Sequence, residues 1–247
     1  MSEHIVNVLK TSEIDGFTEQ QTMNVFCSTF NKNKPAKYFQ WKFRDNPFGE
    51  SIHVLVYDEG NLISTRVFWR MDIDGQESYQ CVDTAVLPSY QGRGIFTLST
   101  EAALDRIGNK PIYNHPNKQS RPAYLKSGWT IDSQQKIKVS PTRLALTHAP
   151  EINWSQRHLK WRFEQNPVST YASMRVEDKN YIFGYRRGRW AVLLGSTDKH
   201  IELPNITPKI CFSYDPDARG IGLPNKQTWL RRGVLPGALH SYLFDMM

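Results

Sequence analysis

The sequence has few cysteines and no long run of apolar residues. Its three cysteines, Cys27, Cys81 and Cys211, are far apart, odd in number and not in metal-ligand spacing. This argues for reduced thiols and against a disulfide framework or a zinc site. No apolar stretch approaches the roughly 20 residues that a membrane-spanning helix needs, and the start MSEHIVNVLK lacks both parts of a secretory signal. We therefore expect a cytoplasmic protein with no membrane span and no metal.

The common nucleotide-binding motifs are also missing. The sequence contains no G-x-x-x-x-G-K-[ST], and no third glycine completes G-x-G-x-x-G after a first strand. The strands that the pattern predicts before the Gly-rich turn at residues 92–94 are antiparallel, which speaks against a Rossmann unit. We therefore expect neither a P-loop nor a dinucleotide-binding fold.

The composition is that of a folded chain with an excess of basic residues. The 247 residues are 39% hydrophobic and 22% charged, with a formal net charge of +7. This charge is compatible with nucleic acid and equally with a polyanionic small molecule. The dense basic cluster of Arg186, Arg187 and Arg189 lies in no recognisable nucleic-acid-binding motif. We therefore do not expect nucleic acid as a partner.

The hydrophobic pattern of residues 1–140 predicts an α+β fold. Turn signals at 58–61 and 74–75 divide residues 51–88 into three strands of an antiparallel meander. The other predicted elements are a strand at 4–10, helices at 18–31 and before Asn46, a helix from Ile95 to about Arg106, a short strand at 111–115, a helix at 120–126 that stops at Gly128, and a last strand pair at 129–140.

The second half of the chain repeats part of the first. Residues 39–64 align with residues 159–184 at a constant offset of 120, from Trp41 to Trp161. The shared W-basic-F-x-x-N-P, followed by a strand and an acidic turn, indicates a duplicated unit. We therefore divide the chain into domains 1–142 and 143–247. The stretch 216–224 resembles the Gly-rich turn of the first half but starts no amphipathic helix, so we predict a simple turn there.

The Gly-rich turn itself predicts an anion-binding site. A strand that ends at Val86 leads through Pro88 into residues 91–94 and then into a helix, which leaves backbone N–H groups unpaired at the positive end of that helix. The glycines allow a phosphate to approach the main chain without a Cβ in the way. Arg93 can add a charge-assisted contact. Most such turns only cap a helix, so this signal is weak alone.

A second segment follows downstream. Asn117, Ser120 and Tyr124 would share one helical face if the turn begins at Asn117, although Pro122 limits how early the helix can start. Together the two segments resemble the GNAT superfamily of acetyl-CoA-dependent N-acetyltransferases. The match comprises V-x-P at 86–88, the loop at 91–96 and the stretch 117–129. It covers about residues 1–140 and departs at Phe96, where the family usually has Gly or Ala.

The resemblance implies a fold and a cosubstrate. The fold would be α+β, a GNAT-like, mostly antiparallel twisted sheet flanked by helices, followed by a degenerate, shortened second GNAT-like repeat. Acetyl-CoA would be the cosubstrate, with its pantetheine arm on the splayed strand that ends at Val86. The cofactor-binding residues so implied are Val86, Gln91, Gly92, Arg93, Gly94, Ile95, Phe96, Asn117 and Ser120.

The resemblance also assigns catalytic roles. Tyr124 would protonate the departing sulfur; the alternative is a packed tyrosine whose hydroxyl is satisfied. Asp83 is the carboxylate on the strand that enters the loop, but it should point away from the site unless the strand bulges. Gln80, where related enzymes often place Glu, cannot accept a proton, so Asp83 or a water chain is the expected base.

The acceptor is suggested by a motif. The W-[KR]-[FY]-x-x-N-P signature with the G-x-G-I-F loop looks like a subgroup that acts in surface-polysaccharide synthesis, where the acceptor would be a nucleotide-linked amino sugar. Tyr38, Trp41 and Arg44 lie at helical spacing and would line its pocket. The alternative is that Trp41 is core and Arg44 is surface. Retention of the motif around Trp161, without a cofactor loop, would favour packing.

Two other functions remain open. One is an N-acetyltransferase for a protein lysine, an N-terminus or a small-molecule amine. The other is a non-catalytic acyl-CoA-binding module, which is favoured by Gln80 and by the degenerate second half.

Overall fold

The protein is described by a computed structural model that covers residues 4–186, 188, 190–214, 220–237, 239–240 and 243. The chain forms two compact units, Met1–Thr130 with Leu230–Pro236, and Ile131–Trp229 with Gly237–Met247. In this division the chain returns to the first unit after residue 229.

The first unit is built on a mixed, mostly antiparallel sheet. Its strands are β1 (Ile5–Lys10), β2 (Ile52–Asp58), β3 (Asn61–Arg70), β4 (Tyr79–Val86) and β5 (Ile112–Asn114), joined beside β5 by the end of β11 (Ile221–Arg232). Its α-helices are α1 (Gly16–Phe30), α2 (Ile95–Ile107) and α3 (Arg121–Lys126). The meander of β2, β3 and β4 and these helices confirm the elements that the hydrophobic pattern predicts.

Helices α1 and α2 share a contact with β3 and otherwise pack on different strands of this sheet. Helix α1, capped by the Asp15 carboxylate on the Thr18 N–H at 2.7 Å, packs on β3 and β4. Helix α2 packs on β1, β2 and β3. The core beneath α2 also contains Tyr124, Trp129 and Leu230. None of the helices in the described part of the chain is long and apolar enough to cross a membrane.

The strands of the second unit continue the same hydrogen-bonded order as β11-β6-β10-β9-β8-β7. Its remaining strands are β6 (Thr130–Pro141), β7 (Ala172–Val176), β8 (Lys179–Arg186), β9 (Trp190–Thr197) and β10 (Ile210–Ser213). Two short helices, α4 (Thr142–Leu146) and α5 (Gln156–Leu159), precede β7. The meander of β7, β8 and β9 corresponds to that of β2, β3 and β4.

The repeated motif forms the same local structure in both units. Each copy is a single π-helical turn, Gln40–Arg44 in the first unit and Lys160–Glu164 in the second. The bond that defines each turn spans five residues, from the Asp45 N–H to the Gln40 carbonyl and from Gln165 to Lys160. The duplication that the sequence indicates is therefore also present in the backbone.

Two sequence predictions differ from the structure. The strand pair predicted at 129–140 is one long strand, β6, because its partners are the remote strands β10 and β11 rather than a neighbour across a turn. The turn predicted at 216–224 lies partly outside the described residues, and its residues from Ile221 onward begin β11. Arg187 and Arg189 of the basic cluster also lie outside the described residues.

Candidate active site

Strands β4 and β5 separate shortly after they begin. They pair in parallel only at Tyr79 with Ile112 and at Gln80 with Tyr113. Strand β5 ends at Asn114, whereas β4 continues to Val86. A sheet normally continues such a ladder along the full strand, so the six residues of β4 beyond Gln80 run without β5 beside them. The part of β4 that β5 does not pair with includes Val86, the position at which the family resemblance implied a splayed strand.

Strand β4 contains a bulge at the point where it has left β5. Thr65 pairs with Ala85 and Val67 with Val82, so Asp83 and Thr84 together oppose Arg66. Asp83 takes a positive φ of 45°, which a non-glycine residue adopts at a cost of about 1–2 kcal/mol. Asp83 was expected to point away from the site unless the strand bulges. Because β4 does bulge here, the Asp83 side chain need not follow the regular alternation of the strand.

The carboxylate of Asp83 is held by the side chains of Tyr38, which immediately precedes the repeated segment, and of Lys42, which lies within it. The Tyr38 hydroxyl donates to its two oxygens at 2.7 and 3.0 Å, and Lys42 Nζ lies 3.4 Å from one of them. Lys42 Nζ also donates to the Tyr38 hydroxyl at 2.8 Å. The Lys42 side chain is 0% exposed and that of Asp83 is 9% exposed. These contacts form a buried network whose one partly open member is the candidate base.

Tyr124 lies against the next residue of the bulge. Burial raises the pKa of Tyr124 above its ordinary value, and the nearby Arg66 charge opposes that rise; hydrogen bonds with the Cys81 and Thr84 side chains also contribute. Its ring meets the Phe96 ring edge to face, with centroids 5.1 Å apart. Tyr124 is therefore kept protonated in a site that it shares with β4 and the start of α2.

The sequence did not single out Arg66. Its guanidinium lies 4.2 Å from the Phe96 ring centroid and 5.0 Å from that of Tyr124. The side chain is fully buried, at 0% exposure. An arginine in the middle of an apolar strand is the signal that would have found it, because arginine is almost never fully buried without a partner. Lys42, which is also fully buried, was likewise not predicted to be a site residue.

The Gly-rich turn is exposed and has room for an anion. Gly92 and Gly94 take φ values of 76° and 80°, and a Cβ built on either would meet nothing within 4 Å. Gly94 caps α2 and accepts from the Leu98 N–H, so amides at this end of the helix are left for a ligand. Gln91 donates from its side chain to the Val86 carbonyl at 2.9 Å, which ties the turn to the end of β4.

The other residues of the turn have identifiable neighbours. The exposed Arg93 guanidinium lies 5.2 Å from the Tyr90 ring centroid, and the Tyr90 hydroxyl donates to Asp58. Ile95 is buried in the core under the helix. Phe96, the departure from the family pattern, packs on Tyr124 and Arg66. The large side chain therefore belongs to the buried cluster and does not fill the turn.

Asn117 and Ser120 have a local structural role. The Asn117 Oδ1 accepts from the Ser120 N–H at 2.8 Å, and its carbonyl accepts from the Arg121 N–H at 3.1 Å. Helix α3 starts only at Arg121, with Pro122 in its first turn, so Asn117 does not share a helical face with Tyr124. The turn instead fixes where the helix that carries Tyr124 begins.

The three candidate acceptor residues lie in different surroundings. Tyr38 is buried and reaches Asp83. Trp41 is in the core at 4% exposure, and its counterpart Trp161 is equally buried at 2%. Arg44 donates to the Ile14 carbonyl at 2.9 Å and to Glu19 at 3.0 Å. Only Tyr38 is thus brought to the candidate base.

Other chemistry at this site is limited. Gln80 is buried, and its Oε1 has no hydrogen-bond partner among the described residues. Cys27, Cys81 and Cys211 are free thiols. Within the described ranges, no group of three His, Cys, Asp or Glu side chains is placed to hold a metal ion.

Comparison with known proteins identifies the fold. No protein-family model matches the sequence, and no curated protein matches it. Among solved structures, a GCN5-related N-acetyltransferase from Kribbella flavida superposes with a TM-score of 0.59 at 12% identity, covering 93% of this chain and 71% of that chain. One from Anabaena variabilis ATCC 29413 gives 0.57 at 13%, covering 92% and 72%. The chain therefore has the α+β fold of GCN5-related N-acetyltransferases over nearly its full length.

Proposed function

We propose that this chain is an acetyl-CoA-dependent N-acetyltransferase that acts on a primary amine. The observation that carries the proposal is the separation of β4 from β5 directly before an exposed, positive-φ turn at the N-terminus of α2. The gap leaves β4 main chain for an extended ligand, and the turn presents amides to a phosphate. A pantetheine arm that ends in a diphosphate has both features.

The residues present fit this cosubstrate. The backbone of residues 91–96 would hold the pyrophosphate, because no Cβ fills the turn at Gly92 or Gly94. Arg93 would add charge at the open end of the turn. The main chain near Val86 would pair with the pantetheine arm. Asn117 and Ser120 would border the site through the turn that precedes α3.

Acetyl-CoA supplies a thioester whose carbonyl carbon accepts a nucleophile. We assign Asp83 as the base that takes one proton from the acceptor amine, directly or through water, because the amine must attack in its neutral form. Tyr124 is the acid that gives one proton to the sulfur as the C–N bond forms and the C–S bond breaks. The bulge supports these roles, since Asp83 and Thr84 are consecutive and Thr84 is one of the groups that act on the Tyr124 hydroxyl.

We further propose an amino sugar, carried on a nucleotide, as the acceptor. This step rests on the W-[KR]-[FY]-x-x-N-P and G-x-G-I-F motifs. Tyr38 supports it by placing an aromatic ring next to Asp83. Trp41 and Arg44 would take part only if the acceptor reaches the π-helical turn.

Calorimetry with CoA and a thiol-release assay test this function. We expect CoA to bind and thiol to be released from acetyl-CoA when an amino-sugar nucleotide is added. Release with a lysine peptide or a polyamine, and none with the sugar, would keep the enzyme class and replace the acceptor. Binding without turnover across the amine panel would show a non-catalytic acyl-CoA module, and no binding at all would refute the proposal.

A further inference from the structure

Arg66 is a buried cation with no counter-ion among the residues that the structure describes. Its side chain is 0% exposed, and its Nε and Nη1 have no hydrogen-bond partner among the described residues. Its one polar contact is from Nη2 to the Cys81 Sγ at 3.8 Å. No described carboxylate forms an ion pair with it. Such a charge is costly in a protein interior unless something compensates it.

The surroundings of Arg66 are aromatic. The rings of Phe68, Phe96 and Tyr124 have their centroids 5.1, 4.2 and 5.0 Å from the guanidinium carbon. Cation–π attraction compensates part of the desolvation. It leaves two nitrogen atoms without acceptors, and aromatic faces do not neutralise a full charge. A role in packing alone would be served better by an apolar side chain of similar length.

Arg66 is connected to Tyr124 by more than ring contact. The Cys81 thiol contacts Arg66 Nη2 and is also one of the groups that act on the Tyr124 hydroxyl. The other groups that act on Tyr124 are Thr84 from β4, Phe96 from α2 and Trp129 after α3, none of which carries charge. Arg66 is therefore the only charge facing Tyr124 in the described part of the first unit.

We propose that Arg66 is a positioning residue that acts through Tyr124: its charge balances the negative charge that forms when the C–S bond breaks. The electron pair of that bond goes to sulfur, and the proton of the Tyr124 hydroxyl follows it. Negative charge is then shared between sulfur and phenolic oxygen beside the unpaired guanidinium. This inference rests on the proposed function and names a residue that its two assigned catalytic groups, Asp83 and Tyr124, do not include.

Binding of CoA and of desulfo-CoA, which lacks the sulfur, tests the inference without turnover. Both would be titrated by calorimetry between pH 7 and pH 9. In the native protein we expect the preference for CoA over desulfo-CoA to rise with pH, because the thiolate form meets Arg66. In R66M that preference should fall by roughly tenfold at pH 9, since a nearby opposite charge shifts a pKa by about one unit or more. R66K should retain most of it.

Two further readouts separate this role from packing. R66M should unfold at the same or a higher denaturant concentration than the native protein, because it replaces an uncompensated charge with an apolar chain. Its kcat should nevertheless fall by a factor of about 100. In a Y124F background, R66M should lower kcat little further, because the two residues act as a unit.

Three outcomes decide the matter. If native and R66M proteins show the same pH-dependent preference for CoA, the inference is wrong while the proposed function stands. If R66M and R66Q lose the fold and R66K keeps it, Arg66 is a packing residue and the inference is also wrong. If the native protein binds neither ligand, the proposed function fails and the inference falls with it.

Discussion

The hydroxyl of Tyr38 donates to the carboxylate of Asp83, 45 residues further along the chain, at 2.7 Å. Lys42 donates to the same hydroxyl, so the contacts come from the π-helical turn and from Tyr38, two residues before it. The turn therefore braces the bulge of β4, where a non-glycine residue is held at positive φ. Tyr38, which the sequence suggested as a residue of the acceptor pocket, holds the candidate base Asp83 through a hydrogen bond.

Asp83→Asn tests that assignment. Asparagine tolerates positive φ and keeps the shape of the side chain, so the bulge should persist. We expect kcat to fall by about 100-fold or more, because the proton acceptor is lost, while CoA affinity measured by calorimetry stays unchanged. Equal kcat values for D83N and the native protein would transfer the role of base to water or to another group.

Gly92→Val tests the anion-binding turn, with Gly75→Val as its matched control. Both glycines have φ of 76° and open space around the Cβ position, so each substitution introduces similar backbone strain. Gly75 lies in the loop between β3 and β4, away from the turn. We expect G92V to weaken CoA binding by at least about tenfold, or 1.4 kcal/mol, and G75V to leave it unchanged. Similar losses in both variants would point to strain rather than to the turn.

His53 should make the protein sensitive to acid. Burial, with a smaller effect of the Arg44 charge, lowers the pKa of His53 to about 3. The unfolded chain binds a proton below about pH 6.5 that the folded protein rejects, so stability is complete above that pH and falls by about 1.4 kcal/mol per pH unit below it.

Urea midpoints at pH 7 and pH 5 measure this effect. Between those values the native protein should lose about 2 kcal/mol more than His53→Phe, in which nothing titrates at that position. His200→Gln is the control, because His200 is exposed with 72% of its side chain accessible. An equal loss in the native protein and H53F would mean that His53 accepts a proton in the folded state.

The two copies of the repeated tryptophan provide an internal comparison. Trp41→Phe and Trp161→Phe each leave a cavity in a buried cluster, and each should cost about 2 kcal/mol of unfolding free energy. If Trp41 only packs, as Trp161 does, both variants should keep the native KM for the acceptor. A rise of KM in W41F alone would show that Trp41 contacts the acceptor.

The helices, the meander and the turn were predictable because each depends on neighbouring residues. The period of apolar residues from Ile95 sets α2, and Gly92 and Gly94 set the turn before it. The start of α3 at Arg121 was less certain, because Asn117 and Pro122 give conflicting signals. Short stretches of sequence are enough to predict such local features.

Features that depend on distant partners could not be predicted in the same way. The bulge at Asp83 appears only when the register of β3 against β4 is known. Lys42 and Arg66 read as ordinary basic residues until burial shows that each lies inside the first unit. The sequence pattern predicted a pair of strands where the structure has the single strand β6, because its partners β10 and β11 lie 69 or more residues away.

The return of the chain at Leu230 has a consequence for biosynthesis. Leu230 is fully buried with Tyr124 and Trp129, and Arg232 donates to the Ser127 carbonyl at 2.7 Å. Strand β5 also takes its second neighbour from these late residues. A ribosome that has made only residues 1–142 has therefore not yet supplied every part of the first sheet. Fragments truncated there should need the late strand added back as a peptide before they become protease-resistant.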